Sequence, residues 1–269
     1  MACVIAASYI EAPQFRSKPL IPVAADSFPV IDLSPMLLEK DCREPKAMEK
    51  LVNQVRRALK EWGAFHVINH GVPLQFFTQT LEEKQKFVRD ILSPSDYHNQ
   101  DCHYKDYLGL PAKKFHPFFE NHGSYMHMNH YPPCSNPELA LGKGLHTDLS
   151  AVSVHIEDNA GGFKIKQNNG NWVKVKPLSG AYVVNTGDAM RVFTNDRIES
   201  VVHKVMVGGE ERYSVVLAIE PTRNAIIEPL EEFVNEENPP KYKAFMWEKL
   251  STSRKLSEFV KSDVKTLGA

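Results

Sequence analysis

The sequence lacks the patterns that mark several large classes of protein. Its four cysteines lie far apart without a CxxC pair, so the spacing of a zinc knuckle or of a dense disulfide framework is missing. No apolar run approaches the ~18 residues of a membrane helix, and the first residues have neither the basic start nor the full apolar stretch of a secretory signal. We therefore expect free thiols at Cys3, Cys42, Cys102 and Cys134, no membrane partner and a cytoplasmic location.

A strong charge of either sign is also absent. The chain carries 32 basic and 33 acidic residues, with a net charge of −1, whereas nucleic-acid binding usually needs a basic patch or stripe. There is no internal repeat or low-complexity tract. With 269 residues, 42% of them hydrophobic, the chain can build a core of ordinary size. We predict a single domain over 1–269 with a small-molecule ligand and no nucleic-acid partner; nothing in the sequence indicates an oligomeric state.

Residues 1–107 are predicted to form an N-terminal region of mixed helices and strands. Apolar residues recur with helical spacing in two stretches, and β-branched and aromatic runs bounded by Gly or Pro favour strands between them. The predicted elements are an extended arm over 1–27, a strand over 28–33, a helix over 46–62 that ends at Gly63, a strand over 64–69, a helix over 74–92 and a loop over 95–107.

Residues 108–222 read as strand after strand and are predicted to form the core. Turn signals such as Gly161-Gly162 separate the runs, and short strands at such regular spacing favour a sandwich or barrel. A C-terminal helical segment over 223–269 follows, with a last helix over about 241–262. The core elements are a short helix over about 111–121 and strands over 125–131, 152–156, 163–166, 172–175, 181–185, 200–207 and 213–219.

Three residues of this core suggest a metal site. A lone histidine is more often structural than a ligand. On a strand, however, residues two apart project to the same face, so His146 and Asp148 can meet one ion. His203 lies in another predicted strand that a two-sheet fold could bring opposite the pair. Two imidazoles and one carboxylate form the facial triad that holds non-haem iron(II) and leaves positions open.

A possible carboxylate anchor follows the third histidine. Arg212 and Ser214 are two apart on a predicted strand and share a face; the planar guanidinium suits a carboxylate, and the hydroxyl can donate a further hydrogen bond. The alternative is a surface arginine with an incidental serine. Tyr131 is open to two interpretations in the same way, as a packing residue or as a third donor through its phenol.

Taken together, the motifs resemble those of the plant-type iron(II)/2-oxoglutarate-dependent dioxygenases, an isopenicillin N synthase-like family. They occur in family order across nearly the whole chain. These motifs are Pro29–Leu33, Trp62–Phe65 with Asn69–Pro73, Asn129–Cys134, His146–Asp148, Gly161-Gly162, Asn185–Asp188, Ser200–Val205 and Arg212–Ser214.

The resemblance implies a mainly β fold with flanking helices around a double-stranded β-helix, or jelly roll. It implies that His146, Asp148 and His203 bind Fe(II), that Arg212 and Ser214 hold the distal carboxylate of the co-substrate 2-oxoglutarate, and that Tyr131 assists there. The implied reaction uses O₂, with ascorbate as reductant, to hydroxylate, demethylate or desaturate a small plant metabolite or hormone, releasing succinate and CO₂. No side-chain general base is needed.

The chain departs from the family pattern in three places, one of which is Ala218-Ile219-Glu220, where the family often has an aromatic-rich run. Only residues 98–107 stand where the family normally has further strands and helices, which would shorten the pocket wall. His155 and Glu157 stand where the family more often has Leu and Gln. We expect His155 to be a hydrogen-bonded structural residue, with a role in lining the pocket as the alternative.

Two other functions stay open at this point. One is an oxidase of the same fold that does not consume 2-oxoglutarate. The other is a shortened homologue that is non-catalytic or regulatory, suggested by the short region around 95–107. The sequence does not identify the prime substrate.

Overall fold

The structure is a computed structural model that describes residues 28–38, 43–72, 108–111, 113–137, 140–167 and 170–254. The predicted arm over 1–27, the helix over 74–92, the loop over 95–107 and the end of the last helix lie outside these residues. Elements are labelled in chain order: β1 Val30–Asp32, α1 Ser34–Leu37, α2 Pro45–Trp62, β2 Ala64–Ile68, α3 His116–Phe119, β3 Tyr125–Tyr131, β4 Leu141–His146, β5 Val152–Glu157, β6 Phe163–Lys166, β7 Trp172–Lys174, β8 Tyr182–Thr186, α4 Asp188–Phe193, β9 His203–Met206, β10 Arg212–Ile219, β11 Ile226–Ile227, β12 Phe245–Met246 and α5 Trp247–Ser253.

Two sheets form the centre of the fold. The larger has six strands in the order β1-β2-β8-β5-β10-β3, and the smaller has four in the order β4-β9-β6-β7. All pairings in both are antiparallel except the parallel pair β1 and β2. Buried side chains from the two sheets, such as Val183 of the larger and Phe163 and Val205 of the smaller, form one apolar cluster. This arrangement confirms the predicted mainly β fold with a jelly-roll core.

Helix α2 covers the β1–β2 end of the larger sheet, as its apolar spacing predicts. Met48, Leu51, Ala58 and Leu59 are buried in a second apolar cluster, which also contains residues from the larger sheet. The helix ends at Gly63, whose φ of 69° lies in the left-handed region and whose N–H donates to the carbonyl of Leu59. Glycine adopts this conformation without the steric cost of a side chain.

Two predicted elements differ in the structure, and strand β4 and helix α4 were not predicted. The helix expected over 111–121 is only the single turn α3. The last helix begins at Trp247 instead of 241 because the preceding residues make other contacts. The Tyr242 hydroxyl donates to Asp196 at 2.6 Å, and β12 pairs with β11. Among the described helices, none is long and apolar enough to cross a lipid bilayer.

Candidate metal centre and co-substrate pocket

The two histidines and the aspartate predicted to bind metal come together at one end of the smaller sheet. His146 is the last residue of β4 and pairs directly with His203 of β9. One carboxylate oxygen of Asp148 lies 3.7 Å from Nε2 of His146 and 3.6 Å from Nε2 of His203. One ligand atom from each residue lies within 4.8 Å of the other two. Such a cluster can hold one ion on three protein ligands.

The route by which Asp148 reaches this cluster differs from the prediction. It does not share a strand with His146, because β4 ends at that histidine and Asp148 lies in the connection that follows. The backbone holds this connection in place: the carbonyl of Asp148 accepts from the N–H of Asp188 at 2.8 Å, and that of Leu149 accepts from Ala189 at 3.1 Å. The first turn of α4 thus uses N–H groups without helical partners to fix the aspartate.

Gly187, which precedes α4, makes this close approach possible. A Cβ atom at this position would collide with the carbonyl oxygens of Asp148 and Ser150. The Asn185–Asp188 motif therefore has a structural role next to the cluster that the sequence pattern alone did not assign.

Hydrogen bonds to the backbone fix both imidazole rings. Nδ1 of His146 lies 2.7 Å from the carbonyl oxygen of Gly144, and Nδ1 of His203 lies 3.0 Å from that of Val201. Because a carbonyl only accepts, each Nδ1 is the protonated nitrogen. Each ring therefore presents an unprotonated Nε2 toward the cluster, the tautomer that a metal ligand needs.

Burial sets the protonation states of these groups. It lowers the pKa of His203 to about 3, and burial together with the charge of Lys143 lowers the pKa of His146. Burial alone would raise the pKa of Asp148, but the imidazoles of His155 and His203 beside the carboxylate outweigh burial and hold that pKa below its ordinary value. At neutral pH the set is two neutral imidazoles and a carboxylate, which is the binding form and the donor chemistry of an iron(II) site.

A buried amide side chain donates a hydrogen bond to the carboxylate of Asp148. Nδ2 of Asn185 in β8 donates to Oδ2 of Asp148 at 3.1 Å, and Oδ1 of Asn185 accepts from Nε2 of His155 at 2.6 Å. His155 is thus hydrogen-bonded, as expected, and it also lines the cavity. Sequence reasoning singled out the motif that contains Asn185 but gave the residue no role.

The predicted carboxylate anchor lies in the same cavity as the cluster of two histidines and one aspartate. Arg212 and Ser214 are both buried on one face of β10, with 3.2 Å between Nη1 and Oγ, whereas Tyr213 between them is exposed. Tyr131 contacts Arg212 through its ring, whose centroid is 4.9 Å from the guanidinium carbon. A role of its phenol as a third donor stays a prediction. The alternative of a surface arginine is wrong.

Glu157 is a pocket residue to which the sequence analysis assigned no role. Its Oε2 accepts from Nη2 of Arg212 at 2.8 Å. The only signal for it in the sequence is a glutamate where the family more often has glutamine.

The three candidate metal ligands and the candidate anchor residues Arg212 and Ser214 line a single cavity of ≈ 450 Å³ between the sheets. A β sandwich with two imidazoles and one carboxylate in such a cavity defines the class of non-haem iron oxygenases.

Comparison with known proteins agrees with this class. A model described as the 2OG-Fe(II) oxygenase superfamily matches residues 122–221, and one described as the N-terminal part of a non-haem dioxygenase in morphine synthesis matches residues 28–117. Feruloyl CoA ortho-hydroxylase 2 of Arabidopsis thaliana is 30% identical over 290 positions, covering 82% of this chain and 77% of that protein. The 1-aminocyclopropane-1-carboxylate oxidase homolog 4 of the same plant is 29% identical, covering 72% and 74%.

A solved structure shares the fold. It is the JOX2 complex with 2OG, Fe and JA, which superposes with a TM-score of 0.70 at 23% identity and covers 93% of this chain and 89% of that one. The chain belongs to the 2OG-Fe(II) oxygenase superfamily. It is an oxidoreductase of the dioxygenase type, with iron(II) as cofactor and 2-oxoglutarate as co-substrate.

Proposed function

We propose that this enzyme holds iron(II) on His146, Asp148 and His203, and binds 2-oxoglutarate through Arg212 and Ser214 with help from Tyr131. The observation that carries the proposal is the convergence of three ligand atoms within 4.8 Å in the cavity that also contains the buried Arg212. When bound, iron(II) and 2-oxoglutarate supply the chemistry that activates O₂ for oxidation of a C–H bond. The three side chains would hold the metal, Arg212 and Ser214 would orient the co-substrate, and the cavity would position that bond.

The prime substrate we propose is a small plant metabolite or hormone. Several similar plant proteins are named as hydroxylases, which favours hydroxylation over demethylation or desaturation for this chain. Ascorbate as reductant and a cytoplasmic location belong to the same proposal.

The test is production of succinate from 2-oxoglutarate by purified protein with iron(II), ascorbate and a panel of plant metabolites. Asp148→Ala removes one of the three ligands and should abolish both succinate formation and calorimetric binding of iron(II) under anaerobic conditions. Glu199→Ala, which removes an exposed carboxylate, is the matched control. Turnover that survives Asp148→Ala would sink the metal assignment, and O₂ uptake without 2-oxoglutarate would point to an oxidase of the same fold.

A further inference from the structure

The buried ion pair between Glu157 and Arg212 occupies the proposed anchor for the co-substrate. Glu157 ends β5 and Arg212 begins β10, the neighbouring strand of the larger sheet. Their atoms Oε2 and Nη2 lie 2.8 Å apart, and only 7% and 4% of the two side chains are exposed. The guanidinium that would receive a carboxylate from 2-oxoglutarate already binds one from the protein.

The other donors of Arg212 are also engaged. Nε donates to the carbonyl oxygen of Gly161, and Nη1 lies 3.2 Å from the hydroxyl oxygen of Ser214. An arginine presents five N–H donors, so a second carboxylate can still bind beside the first. The buried site would then contain the negative charges of two carboxylates and the one positive charge of Arg212.

Glu157 itself is incompletely satisfied. Its second oxygen, Oε1, is buried and has no hydrogen-bond partner among the residues that the structure describes. Burial raises the pKa of this carboxyl in spite of the bond from Arg212. A buried carboxylate with an unmet acceptor costs free energy, whereas its protonated form gains a donor that can bind another carboxylate.

Among the residues that the structure describes, few charged groups act on Glu157. Besides Arg212 from β10, they are His155 in β5 and Asp158, which directly follows β5; Tyr131 from β3 lies against the guanidinium. The Nε2–H of His155 is committed to Asn185. Asp158 adds negative charge.

We propose that Glu157 competes for Arg212 and that 2-oxoglutarate binds with uptake of one proton from solvent by Glu157. This inference rests on the proposed function. The proton converts repulsion between two carboxylates into an O–H···O hydrogen bond, while Arg212 bridges both. When two carboxylates share one site, protonation of one of them removes the repulsion between their charges. Glu157 is then a positioning residue that makes co-substrate affinity depend on pH.

The test is calorimetry of 2-oxoglutarate binding to the iron(II)-loaded protein under anaerobic conditions between pH 6.5 and 8.5. Repeating it in buffers with different ionisation enthalpies counts the protons taken up. For the wild type we expect affinity to fall by up to about tenfold per pH unit, the slope that linkage gives for one proton. We also expect an uptake near one proton at the alkaline end.

Glu157→Gln keeps the size and an acceptor for Arg212 but cannot ionise. At pH 8.5 it should bind 2-oxoglutarate at least about tenfold more tightly than the wild type, which is the change in affinity that one linked proton gives over one pH unit. Its affinity should be nearly independent of pH, and binding should take up no proton. Glu199→Gln, the same change at an exposed carboxylate that does not line the cavity, should behave as the wild type. Protonation changes at the metal ligands would appear in all three proteins and therefore cancel in the comparison.

The outcomes separate this inference from the proposed function. Binding by the wild type without proton uptake and with a flat pH profile would overturn the role of Glu157 and leave the co-substrate site in place. A pH dependence that persists in Glu157→Gln would do the same. If iron(II) binds but neither protein binds 2-oxoglutarate, both proposals fail. If Glu157→Gln does not fold, the absence of proton uptake by the wild type still overturns the inference.

Discussion

Replacement of Asn185 by alanine should weaken metal binding although Asn185 is not a ligand. The side chain is completely buried in β8. Its amide donates to Asp148 at 3.1 Å and accepts from His155 at 2.6 Å. Asn185→Ala removes both contacts, so the carboxylate of Asp148 loses the group that orients it toward the two histidines.

The size of the effect follows from these contacts. Loss of a hydrogen-bond partner behind a metal ligand typically costs about 10–100-fold in metal affinity, which equals about 1.4–2.7 kcal/mol. The imidazole of His155 is also left with an unpaired donor, and an unsatisfied buried group costs about 1–3 kcal/mol of folding stability. We therefore expect a protein that melts at a lower temperature and, when fully folded, binds iron(II) less tightly.

Anaerobic calorimetry with iron(II) at pH 7, well below the melting temperature of each variant, measures the affinity. Thr186→Val is the matched control. Thr186 is buried and lies on the same strand, but its hydroxyl donates to the carbonyl of Glu199 at 3.1 Å and makes no hydrogen bond to the candidate metal ligands. This control should lose stability and keep wild-type metal affinity. The reasoning is refuted if Asn185→Ala binds iron(II) as tightly as the wild type, or if Thr186→Val weakens binding equally.

Two further predictions concern stability. Burial raises the pKa of Asp188 from 3.8 to about 6, so the folded state holds this proton more tightly than the unfolded state and loses stability as pH rises from about 4 to about 6. Asp188→Asn lacks this loss, so between pH 4 and pH 7 its free energy of unfolding in urea should rise by about 2 kcal/mol relative to that of the wild type; parallel pH profiles would contradict the assignment. Trp247→Ala removes a side chain that is 1% exposed and should lower the free energy of unfolding by about 3–5 kcal/mol, whereas a loss below about 1 kcal/mol would mean that the helix α5 packs differently.

The sequence predicts those elements whose side chains alternate or recur with a clear period. Strand β3, from Tyr125 to Tyr131, and helix α2 are found nearly to the residue for this reason. Strand β4 is not, because Leu141–His146 contains two glycines and a lysine and pairs with β9 through two register shifts. A strand of this kind is defined by its partner and not by its own pattern.

Only part of the candidate site can likewise be predicted from the sequence. The pair His146 and Asp148 and the pair Arg212 and Ser214 have short spacings that are visible in the sequence, whereas His203 is identified by the family resemblance. The contact of Glu157 with Arg212 depends on the register between β5 and β10, in which Glu157 lies opposite Ser214. The support that Asn185 gives to Asp148 depends likewise on where β8 lies in the sheet. Sequence spacing does not set either relation. The division into 1–107, 108–222 and 223–269 stays a prediction.

The pairing of β2 with β8 has a consequence for biosynthesis. Val67 lies opposite Tyr182, so β2 leaves the ribosome about 115 residues before its partner, which takes roughly 6–23 s at about 5–20 residues per second. During that time an apolar strand has an unpaired edge, a state that invites aggregation. The nascent chain should therefore depend on chaperones until β8, with the amide that supports the metal site, has been synthesised.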